Sequence, residues 1–273
     1  MTLFDRMGMD TGKKLPVEEA IRWAAANGVR FLDVQTDLAP NALAEMPARA
    51  QGIRELCEEA DVRLGLHTLS GVNIAEVSPH VSEAADAYLR GYIDAAAETG
   101  AGWIVVHAGY HFTADYDDRR QAALERLKRA AGYAEERDVT LLLENTNREP
   151  ERAEVQYLFS SLEELRWYAD RLTSPNLRMS FTANHAHLYP EGVAGFVEAI
   201  DMTRVDEVRL ADCRGTYEEH LNPGEGTMDF ADMFRRIEAK GFTGWYMHQY
   251  GELDDMLRGR AYLLEEARKV GVS

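Results

Sequence analysis

Short apolar runs alternate with amphipathic stretches from one end of the chain to the other. Residues 29–36 (VRFLDVQT), 62–69 (VRLGLHTL), 103–110 (WIVVHAGY) and 139–146 (VTLLLENT) are nearly continuous in hydrophobic, often β-branched side chains. The series continues at 177–184 (LRMSFTAN), 206–213 (DEVRLADC) and 244–251 (GWYMHQYG). Runs of this length predict strands buried on both faces, as in a parallel sheet covered by helices. The intervening stretches carry helix punctuation. Pro16 precedes VEEAIRWAAANG, which stops at Gly28. Ser161 and Glu164 form a capping-box pattern ahead of LRWYADRL. Asp229 is placed to cap FADMFRRIEAKG, with Phe230, Phe234 and Ile237 on one face and Gly241 as the stop.

With an indistinct first strand near residues 2–8, the pattern makes eight β/α units in 273 residues, which predicts an α/β chain folded as a single (β/α)8 barrel over 1–273. A doubly wound sheet is the competing arrangement, but no G-x-G-x-x-G follows the first strand. No linker, low-complexity tract or charge block divides the chain.

Composition narrows the function classes. Lys+Arg 30 against Asp+Glu 47 gives a net charge of −17, which disfavours nucleic-acid and membrane partners and suits a salt-rich cytoplasm. No apolar run approaches the ~20 residues of a membrane span, and the N-terminus lacks a signal-peptide core, so a cytoplasmic address is expected. Cys57 and Cys213 are too few for a disulfide framework and are expected to be reduced.

In a barrel of this kind the C-terminal strand ends build the site. Reading those ends yields His67, His107, Glu144 with Asn145, Thr182 with His185, then Arg209, Asp212 and Arg214, then His248 and Gln249; the loop after strand 7 adds Glu218 and His220. Imidazole mixed with carboxylate suits Zn²⁺, Mn²⁺ or Co²⁺ better than Mg²⁺ or Ca²⁺. His111 and His187 lie further into loops and are read as rim residues; His80 is read as a surface or capping residue.

LLLENT, FTANHAHL, VRLADCRG and above all HLNPGEGTMDF resemble the xylose isomerase-like TIM-barrel superfamily, which includes sugar (phosphate) isomerases and epimerases and also endonuclease IV. The resemblance implies an isomerase-type metal position drawn from strands 5 to 8. Glu144 matches it, but Thr182, Arg209 and Gln249 stand where an Asp, a His or Gln, and a Glu are usual. It follows that this metal position is abandoned. Resemblance to endonuclease IV implies two flanking ligand sets instead, His67/His107/Glu144 and His185/Glu218/His220.

The expected function is therefore an isomerase or epimerase of carbohydrate metabolism, acting by proton transfer on a small sugar, sugar phosphate or related polyhydroxy carbonyl compound. Glu144 is expected to move a proton α to the carbonyl while His185 or Arg209 stabilises the enediolate oxygen. Arg209 has a second reading, a structural ion pair with Glu144 or Asp212. Asn145, Thr182, Asp212, Arg214 and Gln249 complete the expected substrate-contacting set. The alternatives are a metal-dependent phosphoesterase of the endonuclease IV type and a catalytically degenerate metabolite-binding barrel. A small-molecule substrate is the expected partner, and the chain is open to forming a homo-oligomer.

Overall fold

The apolar runs become the staves of a closed parallel barrel in a computed structural model that describes residues 1–249 and 251–273. Its strands are β1 (Met7–Gly12), β2 (Phe31–Gln35), β3 (Arg63–His67), β4 (Trp103–Val106), β6 (Thr140–Glu144), β8 (Leu177–Thr182), β9 (Val205–Leu210) and β10 (Trp245–His248), closed in that order. Two further strands, β5 (Tyr110–Phe112) and β7 (Val155–Tyr157), pair antiparallel above the barrel, linking the loops that follow β4 and β6. The helices are α1 (Val17–Ala26), α2 (Met46–Ala60), α3 (Pro79–Thr99), α4 (Tyr116–Glu135), α5 (Leu162–Ala169), α6 (Ala183–His187), α7 (Gly192–Ala199), α8 (Phe230–Ala239) and α9 (Leu253–Lys269). No helix among the described residues is long and apolar enough to cross a membrane.

Local signals operate as their chemistry dictates. The Ser161 hydroxyl accepts from the Glu164 amide at 3.3 Å at the start of α5, and Asp229 Oδ1 accepts from the Asp232 amide at 2.9 Å at the start of α8. The expected first strand near 2–8 is displaced. Asp5 accepts from the Thr2 amide and hydroxyl, both at 2.9 Å, folding Phe4–Arg6 into a 3-10 turn, and the strand begins only at Met7. The run expected as strand 177–184 stops at Thr182; Ala183–His187 turn into α6 and carry Asn184 and His185 with them. Of the run expected at 244–251, Trp245–His248 form the strand and Tyr250 lies outside the described residues.

Two cores result. A large apolar layer between strands and helices includes Ile21, Ile53, Leu89, Phe196, Phe234 and Leu263, all at most 2% exposed. A small inner cluster joins Phe31, Trp103, Val105, Leu142 and Met247. Phe31 on β2 stacks on Trp245 of β10 at 5.0 Å between ring centroids. Those strands are not neighbours, so the stack crosses the barrel interior and plugs its lower half. Gly65 makes room for it, since a Cβ there would lie 2.1 Å from Trp103 Nε1 and 2.4 Å from Asp33 Oδ1.

Candidate active site and metal centre

Above the aromatic plug the barrel interior turns polar. Glu207 and Arg209 are two residues apart on β9 and therefore share its inner face. The Arg209 guanidinium is fully buried and donates to Asp33 Oδ2 at 2.6 Å, Glu207 Oε1 at 2.9 Å, Gln249 Oε1 at 2.8 Å and the Asp10 carboxylate. The buried carboxylates have further donors. Trp103 Nε1 reaches Asp33 at 2.9 Å, and Trp245 Nε1 and Ser180 Oγ reach Glu207 at 2.9 and 2.8 Å. Burial and the facing Glu207 charge push the Asp33 carboxyl well above its ordinary range, although Arg209 opposes them. Arg209 itself stays a cation: burial disfavours its charge, but Glu207, Asp10, Glu144 and Asp33 overcome that cost.

On this floor stands a triangle of ligand atoms. His67 Nε2 and His107 Nε2 lie 3.4 and 3.2 Å from Glu144 Oε2, and 3.5 Å from each other. Glu144 is 2% exposed, and its Oε2 has no hydrogen-bond partner of good geometry. Its Oε1 accepts from the Thr182 hydroxyl at 2.5 Å. The far side of each imidazole is committed. His67 Nδ1 faces the Asp10 carboxylate at 2.9 Å, which can only accept. His107 Nδ1 lies 3.2 Å from Thr68 Oγ1, whose own hydrogen goes to the Val105 carbonyl at 3.0 Å. Both rings are thereby fixed with hydrogen on Nδ1, so two nitrogen lone pairs and one carboxylate oxygen converge on one point.

Three ligand atoms ~2.0–2.2 Å from a tetrahedral Zn²⁺ stand roughly 3.3–3.6 Å apart. The observed edges of 3.2, 3.4 and 3.5 Å lie close to that range, and an orphaned buried carboxylate oxygen is the feature an ion would satisfy. The residues fit a divalent ion with an open coordination position. Without one, a proton takes its place. Burial and Arg209 disfavour charge on His67, but hydrogen bonds to Asp10 and Glu144 carry its pKa up to about 9. Burial alone would raise the Glu144 carboxyl, yet hydrogen bonds from His107 and His67 and the Arg209 charge hold it well below the carboxylate range.

The second set is looser. His185 Nδ1 faces the Asn145 carbonyl at 2.8 Å, which leaves Nε2 3.8 Å from Glu218 Oε1. Glu218 Oε1 lies 2.6 Å from His220 Nδ1, the spacing of a hydrogen-bonded pair. Contacts with His185 and His220 hold the Glu218 carboxyl well below its usual range. The three ligand atoms lie within 4.8 Å of one another. Both sets open into one cavity of about 370 Å³, which Gln35, Glu149, Tyr157 and Gln249 also line.

Several expected substrate contacts lie elsewhere. Arg209 forms the centre of the floor with no exposed surface, paired with Asp10, Asp33 and Glu207 rather than with Asp212, while Glu144 is 4.0 Å away. A guanidinium so enclosed presents no exposed donor to a substrate oxygen. Asp212 accepts from the amides of Cys213, Gly224, Gly226 and Met228 and so ties down the loop after β9. Arg214 is half exposed and pairs with Glu219. Asn145 clamps the Thr182 backbone in both directions, at 2.7 and 3.1 Å. His187 bonds Thr227 at the rim, and His80 is exposed in the first turn of α3. Reading strand ends passed over Asp10, Asp33 and Glu207, although a lone acid inside an apolar run such as FLDVQT signals a buried partner.

The architecture is a closed (β/α)8 barrel with a ligand-rich C-terminal mouth. The chain belongs to the xylose isomerase-like TIM-barrel family, whose model matches residues 21–267. An uncharacterised protein of Methanocaldococcus jannaschii, MJ1311, is 24% identical over 228 residues, covering 80% of this chain and 75% of that protein. Among solved structures, a D-tagatose 3-epimerase-like protein superposes with a TM-score of 0.83 at 21% identity, covering 97% of this chain and 98% of that one. The 3-keto-D-glucoside 4-epimerase YcjR of E. coli superposes at 0.76 and 15% identity, covering 95% and 99%. A D-psicose 3-epimerase of Clostridium cellulolyticum H10 superposes at 0.77 and 13% identity, covering 97% and 99%.

Proposed function

We propose that the protein isomerises or epimerises a small polyhydroxy carbonyl compound by proton transfer, at a site that holds a divalent ion between His67, His107 and Glu144. The observation that carries this reading is the convergence of that ligand triangle and His185 on one small cavity at the barrel mouth. Family membership and the sugar epimerases among the structural neighbours support it.

A divalent ion bound there would polarise a substrate carbonyl, making the adjacent C–H acidic. The protein's own groups do the rest. Glu144, held ionised and buried, is a poor base and a good ligand; its Thr182 hydrogen bond fixes which oxygen faces the imidazoles. His185, whose Nδ1 faces the Asn145 carbonyl, presents Nε2 to the cavity, where it takes the proton α to the carbonyl and returns one to the enediolate. Glu149, Glu218 and Gln249 offer acceptors and an amide to substrate hydroxyls. Arg209 acts only through the floor, as a fixed positive charge beneath Glu144.

The paired ligand sets would also serve phosphoester hydrolysis. Against that stand the net charge of −17 and a cavity lined by Glu144, Glu149 and Glu218 with no Lys or Arg among its described residues. The test is incubation with a panel of free and phosphorylated ketoses in D₂O, followed by NMR. Deuterium entering the carbon α to the carbonyl, and absent with His185→Gln, is the expected result. Cleavage of abasic DNA without any exchange would overturn the assignment.

A further inference from the structure

We infer that Asp10 is a positioning residue for the candidate ion site, setting the tautomer of His67 so that Nε2 is free to ligate. Asp10 lies on β1, separated in the barrel from β3, which carries His67, by β2 alone, and is itself about one-tenth exposed. Its two oxygens have separate tasks. Oδ1 accepts from the Gly12 amide at 2.8 Å, which fixes the rotation of the carboxylate. Oδ2 faces His67 Nδ1 at 2.9 Å and also receives the Arg209 guanidinium.

Arg209 Nη2 lies 3.2 Å from the same imidazole nitrogen. Two donors and one acceptor-only oxygen meet there, and only one arrangement has no clash: Arg209 and His67 both donate to Asp10 Oδ2. The guanidinium cannot turn away to relax the demand, because Asp33, Glu207 and Gln249 hold its other nitrogens. Asp10, Asp33 and His67 have the spacing of a ligand cluster in their own right, yet the Arg209 guanidinium already lies among them, so this set orients a ligand and does not bind an ion.

The chain of constraint therefore runs from Arg209 to Asp10 to His67 Nδ1–H, and leaves the Nε2 lone pair aimed at the point shared with His107 and Glu144. Carboxylates that accept from the far nitrogen of a ligating imidazole typically contribute 10–100-fold to metal affinity. An amide at position 10 breaks this. One of its two atoms becomes a donor, opposing either the Gly12 amide or the Arg209 and His67 pair, and the second case invites hydrogen onto His67 Nε2.

This inference rests on the ion-site reading above but not on the reaction assigned to it. The test is zinc affinity by competition with a chromogenic chelator, together with imidazole ¹H–¹⁵N spectra of zinc-loaded protein. Wild type is expected to bind zinc and to show a hydrogen-bonded His67 Nδ1–H resonance. Asp10→Asn should bind zinc about 10–100-fold more weakly and lose or shift that resonance, while Asp254→Asn on the surface of α9 changes neither. Wild-type affinity in Asp10→Asn with the resonance unmoved overturns the inference and leaves the ion site standing. Absence of zinc binding by wild type overturns both. If Asp10→Asn does not fold, the wild-type spectrum still decides: zinc bound through Nδ1, with hydrogen on Nε2, refutes the assignment.

Discussion

Replacing Arg209 with Met removes the guanidinium on which three buried acids converge. Asp33 and Glu207 have no exposed side-chain surface and Asp10 has 10%. Removing one member of a buried ion pair costs about 3–5 kcal/mol, because the surviving charge is left desolvated. Here a single change takes the guanidinium from three acids, of which Asp10 keeps His67 Nδ1 at 2.9 Å. Trp103, Trp245 and Ser180 continue to donate to two of them, which keeps the expected loss near that range. At ~2–4 °C per kcal/mol for a chain of this size, the midpoint should fall by ~6–20 °C. Urea and thermal unfolding measure both quantities, with Arg258→Met as the control. Arg258 is 67% exposed in its pair with Asp255, and such pairs contribute roughly 0–1 kcal/mol. The pH dependence gives a second reading. Without Arg209 the acids titrate higher in the folded than in the unfolded chain, so the folded variant binds more protons as pH falls. Its deficit relative to wild type should therefore shrink from pH 8 to pH 5. An Arg209→Met protein within 1 kcal/mol of wild type at pH 8 would refute the view that this guanidinium neutralises the floor.

Gly65→Ala should cost about 1–3 kcal/mol or more, because the new methyl meets the Trp103 indole at 2.1 Å; Gly102→Ala, with nothing within 4 Å, should be nearly neutral in the same melts. His248 is buried, and desolvation pushes its pKa down to about 4 from 6.5. The unfolded chain takes up a proton below pH 6.5 that the folded chain refuses until about 4, so stability falls through that window by on the order of 3 kcal/mol. His248→Gln should flatten the stability curve there, and an unchanged slope would show that another group is responsible.

The barrel could be read from the sequence because its strands are buried on both faces and announce themselves as apolar runs. His67, His107, Glu144 and His185 could be read because they end such runs. The floor could not be read in the same way. Asp10 hides in MGMDTG, where glycines and a threonine dilute the strand pattern, and β1 was accordingly expected several residues too early. Arg209 reads from the sequence as an enediolate stabiliser or the partner of Glu144 or Asp212, but Asp10 and Asp33 come from β1 and β2, far away in the chain, and only closure of the barrel brings them to it. Asp212 shows the converse: a strand-end acid whose type suggested substrate contact and whose carboxylate instead gathers four backbone amides.

Anomalous diffraction from crystals soaked in zinc locates the ion itself. A peak is expected about 2.0–2.2 Å from His67 Nε2, His107 Nε2 and Glu144 Oε2, lost in Glu144→Gln. A peak among Asp10, Asp33 and Arg209, or none near Glu144 at saturating zinc, would contradict the ion-site assignment.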